Sequence, residues 1–326
     1  MDTSRAMDQR SKRRGWPSPD ALNMKPIAFN LEEALAIENT YRPNLLVIQQ
    51  DLLPWEVTLN DRDSAIHRLR FLRVWFDLPQ SVFFTAVTYL DLFLSRMKVQ
   101  EKYIRCLAIS CIHAAAEKEG YSLDDHKLEA ASRNVCSIRD MLRMSDIVKE
   151  KLRYFINIYD RSATCADFLT IFLEVLEYIS RRWEVRLHAS EVLKKDQLLV
   201  RLEVLLSDSR SAYFRSSILA LVLIKLELEG LMAQAVSSRS MYFVGELIQL
   251  LAAIRELQLT CKIKTNELVN CYHNASIVLK HYDDSARIRC IANPMWSYRP
   301  SFYKGNFYRT FQVPLDIIEE QNQIFP

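Results

Sequence analysis

Between Val82 and Ala116 the apolar positions recur with a helical period, and this stretch organises the reading of the whole chain. Phe83, Val87, Leu90, Leu94 and Met97 follow one another at steps of four, three, four and three. That spacing puts them on one helix face and assigns Asp91, Ser95 and Arg96 to a wetter side. After a short connector, Lys98 to Tyr103, a second run from Ile104 to Glu119 is small and apolar through Cys106, Ala108, Ser110, Cys111 and Ala114 to Ala116. Small side chains let neighbouring backbones approach to the short end of the ~8–10 Å range for packed helices. The second helix is therefore expected at the centre of a bundle.

The same patterning predicts further helices on both sides. One covers Leu31 to Tyr41. A first block then reads as five helices: Arg62 to Phe76, Pro79 to Met97, Gln100 to Glu119, Ser122 to Val135 and Ser137 to Asn157. Pro79 suits a first helical turn, and Gly120 a C-terminal stop. Ser122/Asp125 and Ser137/Asp140 read as N-caps, side chains that satisfy free N–H groups at a helix start. Shifting the chain by 110 residues lays Glu117, Glu119 and Gly120 over Glu227, Glu229 and Gly230. With a two-residue gap, Leu90 to Ser95 falls on Leu202 to Ser207. This weak repeat predicts a second, similar helical block from Ser162 to Asp284, with late helices at Met241 to Leu257 and Thr265 to His281.

Composition agrees with an all-α chain. Five glycines in 326 residues are far below the average usage of about 7%, and no pair lies close enough for a phosphate-binding loop. The net charge of +3 argues against a nucleic-acid surface. Seven scattered cysteines without a C-x-x-C pair predict free thiols in a reduced compartment. The apolar run Ile218 to Ile224 stops at Lys225, well short of the ~20 residues of a membrane span. Residues 1–30 read as a flexible arm, in which Arg10, Lys12, Arg13 and Arg14 form either a nuclear-targeting signal or a solvated cluster. From about 286 to 326 an aromatic-rich tail follows, with Trp296, Tyr298, Phe302, Tyr303, Phe307, Tyr308 and Phe311.

Two tandem five-helix blocks flanked by tails resemble the cyclin fold. Ala86-Val-Thr-Tyr-Leu-Asp-Leu-Phe-Leu-Ser-Arg-Met97 is similar to the second helix of a cyclin box, and Met141-Leu-Arg-Met-Ser-Asp-Ile-Val148 to the start of its fifth. Arg96 to Gln100, Leu107 to Cys111 and Met141 to Met144 resemble the cyclin G group. The resemblance implies an N-terminal cyclin box over 31–160 and a C-terminal cyclin-like domain over 161–285. It implies a non-enzymatic regulatory subunit that docks on a cyclin-dependent kinase. A cyclin grips its kinase with a lysine near the end of the third helix and a glutamate in the fifth. Glu117 and Ser145 occupy those positions here, with Lys118 and Asp146 next to them, so typical activation is not expected. The substrate-docking pattern of cyclins falls on Asp61 to Arg68, where only Arg62 is kept.

Leu315-Asp-Ile-Ile-Glu-Glu320 resembles the short motif bound by the B-prime regulatory subunits of protein phosphatase 2A. Leu315 and Ile318 would be its apolar anchors and Glu320 the residue that pairs with a basic rim. The alternative is a segment that packs on its own domain. His113 reads as a buried, hydrogen-bonded histidine rather than a metal ligand, and no motif places a catalytic group. No cofactor, metal or membrane is expected. The preferred reading is a cyclin G-like scaffold of nucleus and cytoplasm, acting in cell-cycle or DNA-damage control and binding the phosphatase subunit, a kinase or both. The alternatives are a conventional kinase-activating cyclin and a transcription-factor-type cyclin fold that binds nucleic acid.

Overall fold

A computed structural model describes residues 25–49, 55–131, 136–153, 163–183 and 188–292. The described residues form helices and no strand; one isolated antiparallel bridge joins Glu56 to Gln100. They fall into two compact units, neither of which is a continuous stretch of chain.

One unit holds the described residues between 43 and 153 together with 206–209 and 277–292. Its helices are α2 (Leu59–Trp75), α3 (Gln80–Leu94), α4 (Ile104–Lys118), α5 (Asp125–Ala131) and α6 (Ile138–Lys151). The other holds α1 (Lys25–Tyr41), α7 (Cys165–Arg182), α8 (Ala189–Val192), most of α9 (Lys195–Leu206), α11 (Ser216–Ser237), α12 (Met241–Thr260) and the first turns of α13 (Thr265–Ala292). The short α10 (Ser209–Ala212) precedes α11. Helix α1, read from sequence as leading into the first block, packs on α7 in the unit of the later helices.

In the first of these units α4 is the central rod, packed against α2, α3 and α6. Every residue from Cys106 to Ile112 and from Ala114 to Ala116 is buried, so the alanine-rich run does sit in the middle of a bundle. Helix α3 is buried almost all round, from Val82 to Val87 and Tyr89 to Leu94. Two expectations for α3 fail. The helix ends at Leu94, which leaves Met97 in the following turn and 39% exposed. Asp91, assigned to the wet side, is 5% exposed, and its partner explains why. Arg62 on α2 is fully buried and meets Asp91 with two hydrogen bonds, Nε to Oδ1 at 2.9 Å and Nη2 to Oδ2 at 2.7 Å. Arg62 Nη1 donates to Asp63 Oδ1 at 2.9 Å and to the Leu206 carbonyl at 2.8 Å, and Asp63 Oδ2 accepts the Ser209 N–H at 3.0 Å. Burial alone lowers the pKa of a guanidinium; Asp91, then Asp63, outweighs it, and the net shift of Arg62 is upward. The charge network thus holds residues 206–209 in this unit.

The other unit is built on α11, which is buried from Ser217 to Ile224 and packs on α7 and α12. Glu38 of α1 is buried at its N-terminus, where its carboxylate accepts from the Ser217 N–H at 2.7 Å and the Ser217 hydroxyl at 2.6 Å. Such a position suits an anion because the first N–H groups of a helix have no partner within it. Arg42, on the same segment as α1, donates to the Tyr213 carbonyl.

Helix starts carry the chemistry expected of them, with some corrections. Ser137 caps α6 through the Asp140 N–H at 3.2 Å. At α5 the cap is Asp124, which accepts from the His126 and Lys127 N–H groups at 3.0 and 3.1 Å, so Ser122 does not serve. Pro79 precedes the first turn of α3 rather than lying in it. Thr58/Asp61 at α2 and Thr164/Asp167 at α7 are reciprocal capping boxes. Gly120 stops α4 with φ of 80°, whereas Gly230 lies inside α11 and stops nothing.

Candidate functional site: the seam between α4 and α6

Helices α4 and α6 lie side by side, and three polar rungs tie them together. Ser110 donates to the Met141 carbonyl at 2.9 Å. His113 Nδ1 lies 3.2 Å from the Ser145 hydroxyl. Lys149 Nζ donates to Glu117 Oε2 at 3.0 Å. The steps are three and four residues on α4 and four and four on α6, the spacing at which successive side chains stack on one helix face.

The rungs decide what the four sequence-predicted positions of this face offer. Ser145 is 1% exposed and turned toward His113, so the residue at the family's glutamate position presents no side chain to a partner. Glu117 is exposed and shares Lys149 with Asp146, whose Oδ1 is also 3.0 Å from the ammonium. Burial lowers the Lys149 pKa and the two carboxylates raise it; the carboxylates win. Lys118 is exposed one residue on, where a helical step of about 100° points it elsewhere. The face therefore shows carboxylates at 117 and 146 around one ammonium. Lys149 was missed in the sequence, although its spacing of four from Ser145, matching that of Glu117 from His113, was there to be read.

At the C-terminal end of α4, Glu119 accepts from Ser81 Oγ at 2.5 Å and Thr85 Oγ1 at 3.5 Å, which fixes that end against the first turns of α3. Among the described residues no three His, Cys, Asp or Glu side chains are grouped as a metal site would require. No described helix is long and apolar enough to cross a membrane. Leu315, Ile318 and Glu320 lie outside the described residues, as does the basic cluster at 10–14.

A central small-residue helix caged by its neighbours and a buried Arg–Asp pair between the first two helices of its unit fit the cyclin box that the sequence resembles. Comparison agrees over part of the chain: residues 30–157 match the family "Cyclin, N-terminal domain", so this segment is a cyclin N-terminal domain. Its curated relatives include cyclin G proteins. It is 26% identical to Cyclin G of Drosophila melanogaster over 266 residues, covering 81% of this chain and 46% of that protein. It is 31% identical to Cyclin-G2 of Mus musculus over 172 residues, covering 52% and 47%. The chain thus spans about half the length of these relatives. Among solved structures it aligns with a viral cyclin from herpesvirus saimiri at 14% identity and a TM-score of 0.49, over 77% of this chain and 99% of that one.

Proposed function

We propose that this chain is an atypical, cyclin G-like regulatory or scaffold subunit, not an enzyme, acting in cell-cycle or DNA-damage control in nucleus and cytoplasm. In this reading its partner is a B-prime regulatory subunit of protein phosphatase 2A, bound through Leu315, Ile318 and Glu320. A cyclin-dependent kinase is its other partner in this reading, bound without the usual activation. The observation that carries the proposal is the α4–α6 seam, in which Glu117 is tied to Lys149 and Ser145 is buried against His113.

A kinase surface that expects a cation at 117 and an acceptor at 145 meets a carboxylate and an empty position. Mismatching a desolvated charge costs about 3–5 kcal/mol, or roughly two to three and a half decades of affinity. The proposal therefore expects purified protein to leave candidate cyclin-dependent kinases near their basal activity; strong activation would restore the conventional reading. Affinity purification from cells with and without residues 312–326 tests the phosphatase. Capture of the B-prime subunit should depend on those residues and be lost in Leu315→Ala/Ile318→Ala. Undiminished capture by that variant would remove the motif from the account.

A further inference from the structure

The rungs of the α4–α6 seam continue one turn further toward the N-terminus of α4. Four residues before Ser110 stands Cys106, and at the foot of α6, just ahead of its cap Ser137, stands Cys136. The register that pairs Ser110 with Met141 brings the two thiols together, close enough for Cys136 to raise the Cys106 pKa. Cys106 is 6% exposed, whereas Cys136 is half-buried and lies in a bend outside any helix. No other described pair combines contact with access. Cys165 and Cys271 are close enough to influence each other, but both are buried, and Cys111 and Cys261 are buried too.

We propose that Cys106 and Cys136 are a redox pair that closes to a disulfide when the protein meets a peroxide, clamping the start of α6 onto α4. The accessible thiol reacts first: the Cys136 thiolate attacks one peroxide oxygen, the O–O bond breaks, and Cys136 becomes a sulfenic acid with release of hydroxide. The Cys106 sulfur then attacks the Cys136 sulfur. The S–S bond forms, the S–O bond breaks, and the Cys106 proton leaves with the hydroxyl as water. Two electrons pass from the thiols to the peroxide, and a dithiol reductant returns them. The neighbouring Cys136, and then burial, push the Cys106 thiol far up. That suits it to the resolving role rather than to the first attack. Closure draws the sulfurs from contact to the ~2.05 Å of a disulfide. The bend at Cys136 can supply this movement without unwinding α6. The clamp acts at one end of the seam described above and does not depend on which partner binds there.

The test uses the full chain, folded and reduced, exposed briefly to hydrogen peroxide, quenched with catalase, then alkylated and digested without reductant. A peptide pair joining Cys106 to Cys136, lighter than its separate parts by two hydrogens and released by dithiothreitol, is expected. The denatured thiol count should fall from seven to five. Cys136→Ser should abolish the link, and Cys111→Ser should leave it intact. The proposal is overturned if Cys136 accumulates as sulfenic or sulfinic acid without a link, if the link joins other cysteines, or if the pair forms only after the chain has been unfolded.

Discussion

Replacing Asp91 by alanine tests the buried network most directly. Asp91 makes two of the four hydrogen bonds of Arg62, and the guanidinium it faces has no exposed surface. Removing one partner of a buried ion pair costs about 3–5 kcal/mol, because the other charge stays buried. Arg62 keeps Asp63, whose side chain is 21% exposed, and the Leu206 carbonyl, which puts the expected loss near the lower figure, about 3 kcal/mol. Set against a total stability of about 5–15 kcal/mol, that is a large fraction. It corresponds to a fall of about 6–12 °C in Tm for a unit of this size. Far-UV circular dichroism during urea and thermal unfolding reads it. Asp91→Asn, which removes the charge and keeps the shape, should lose nearly as much. Arg62→Met in the Asp91→Leu background should recover part of the loss, since the pair then disappears together. Both Asp91 variants falling within 1 kcal/mol of the parent would refute the reasoning and show that the Arg62 charge is compensated elsewhere.

Glycine positions give a pair of opposite expectations. Gly120→Ala, at φ of 80°, should destabilise by about 1 kcal/mol. Gly230→Ala, inside α11 with nothing within 4 Å of the added carbon, should stabilise by about 0.5–1 kcal/mol; equal shifts in Tm for the two would contradict the backbone assignment. Burial raises the Glu38 pKa above its ordinary 4.5, against the opposing bonds from Ser217 and the charge of Arg215. The native state then holds a proton that the unfolded chain releases. This contribution is complete below pH 4.5 and is lost as the pH rises through the raised value. A pH series of urea midpoints should therefore show a decline just above pH 4.5 in the parent that Glu38→Gln lacks; parallel curves would place the Glu38 carboxylate at its ordinary pKa.

Most of the helices were legible because periodicity and capping are local. Ser137/Asp140 and the Cys106–Ala116 run each announce their role within a few residues. What could not be read is set by partners distant in the chain. Nothing near Asp91 says that it is buried; its environment is decided by Arg62, 29 residues earlier. Glu38 looks like a surface residue of α1 until Ser217, 179 residues on, meets it. At the seam the identities of Glu117 and Ser145 were plain from the resemblance to cyclins. Their accessibility was not, because it depends on which side chains of α6 turn toward α4. Gly230 misled for the same reason in reverse: a glycine near a helix end in one block is a mid-helix residue in the other.

The contact from Arg62 to the Leu206 carbonyl has a consequence for how the chain is made. The two residues are 144 positions apart, so at a synthesis rate of about 5–20 residues per second the acceptor follows the donor by about 7–29 s. Helices α2 to α6 are complete well before then, but the guanidinium at their centre still lacks one acceptor, and Asp63 still awaits the Ser209 N–H. While the chain is on the ribosome this bundle is a structure waiting for a late piece, and that interval is when a chaperone would find it most open.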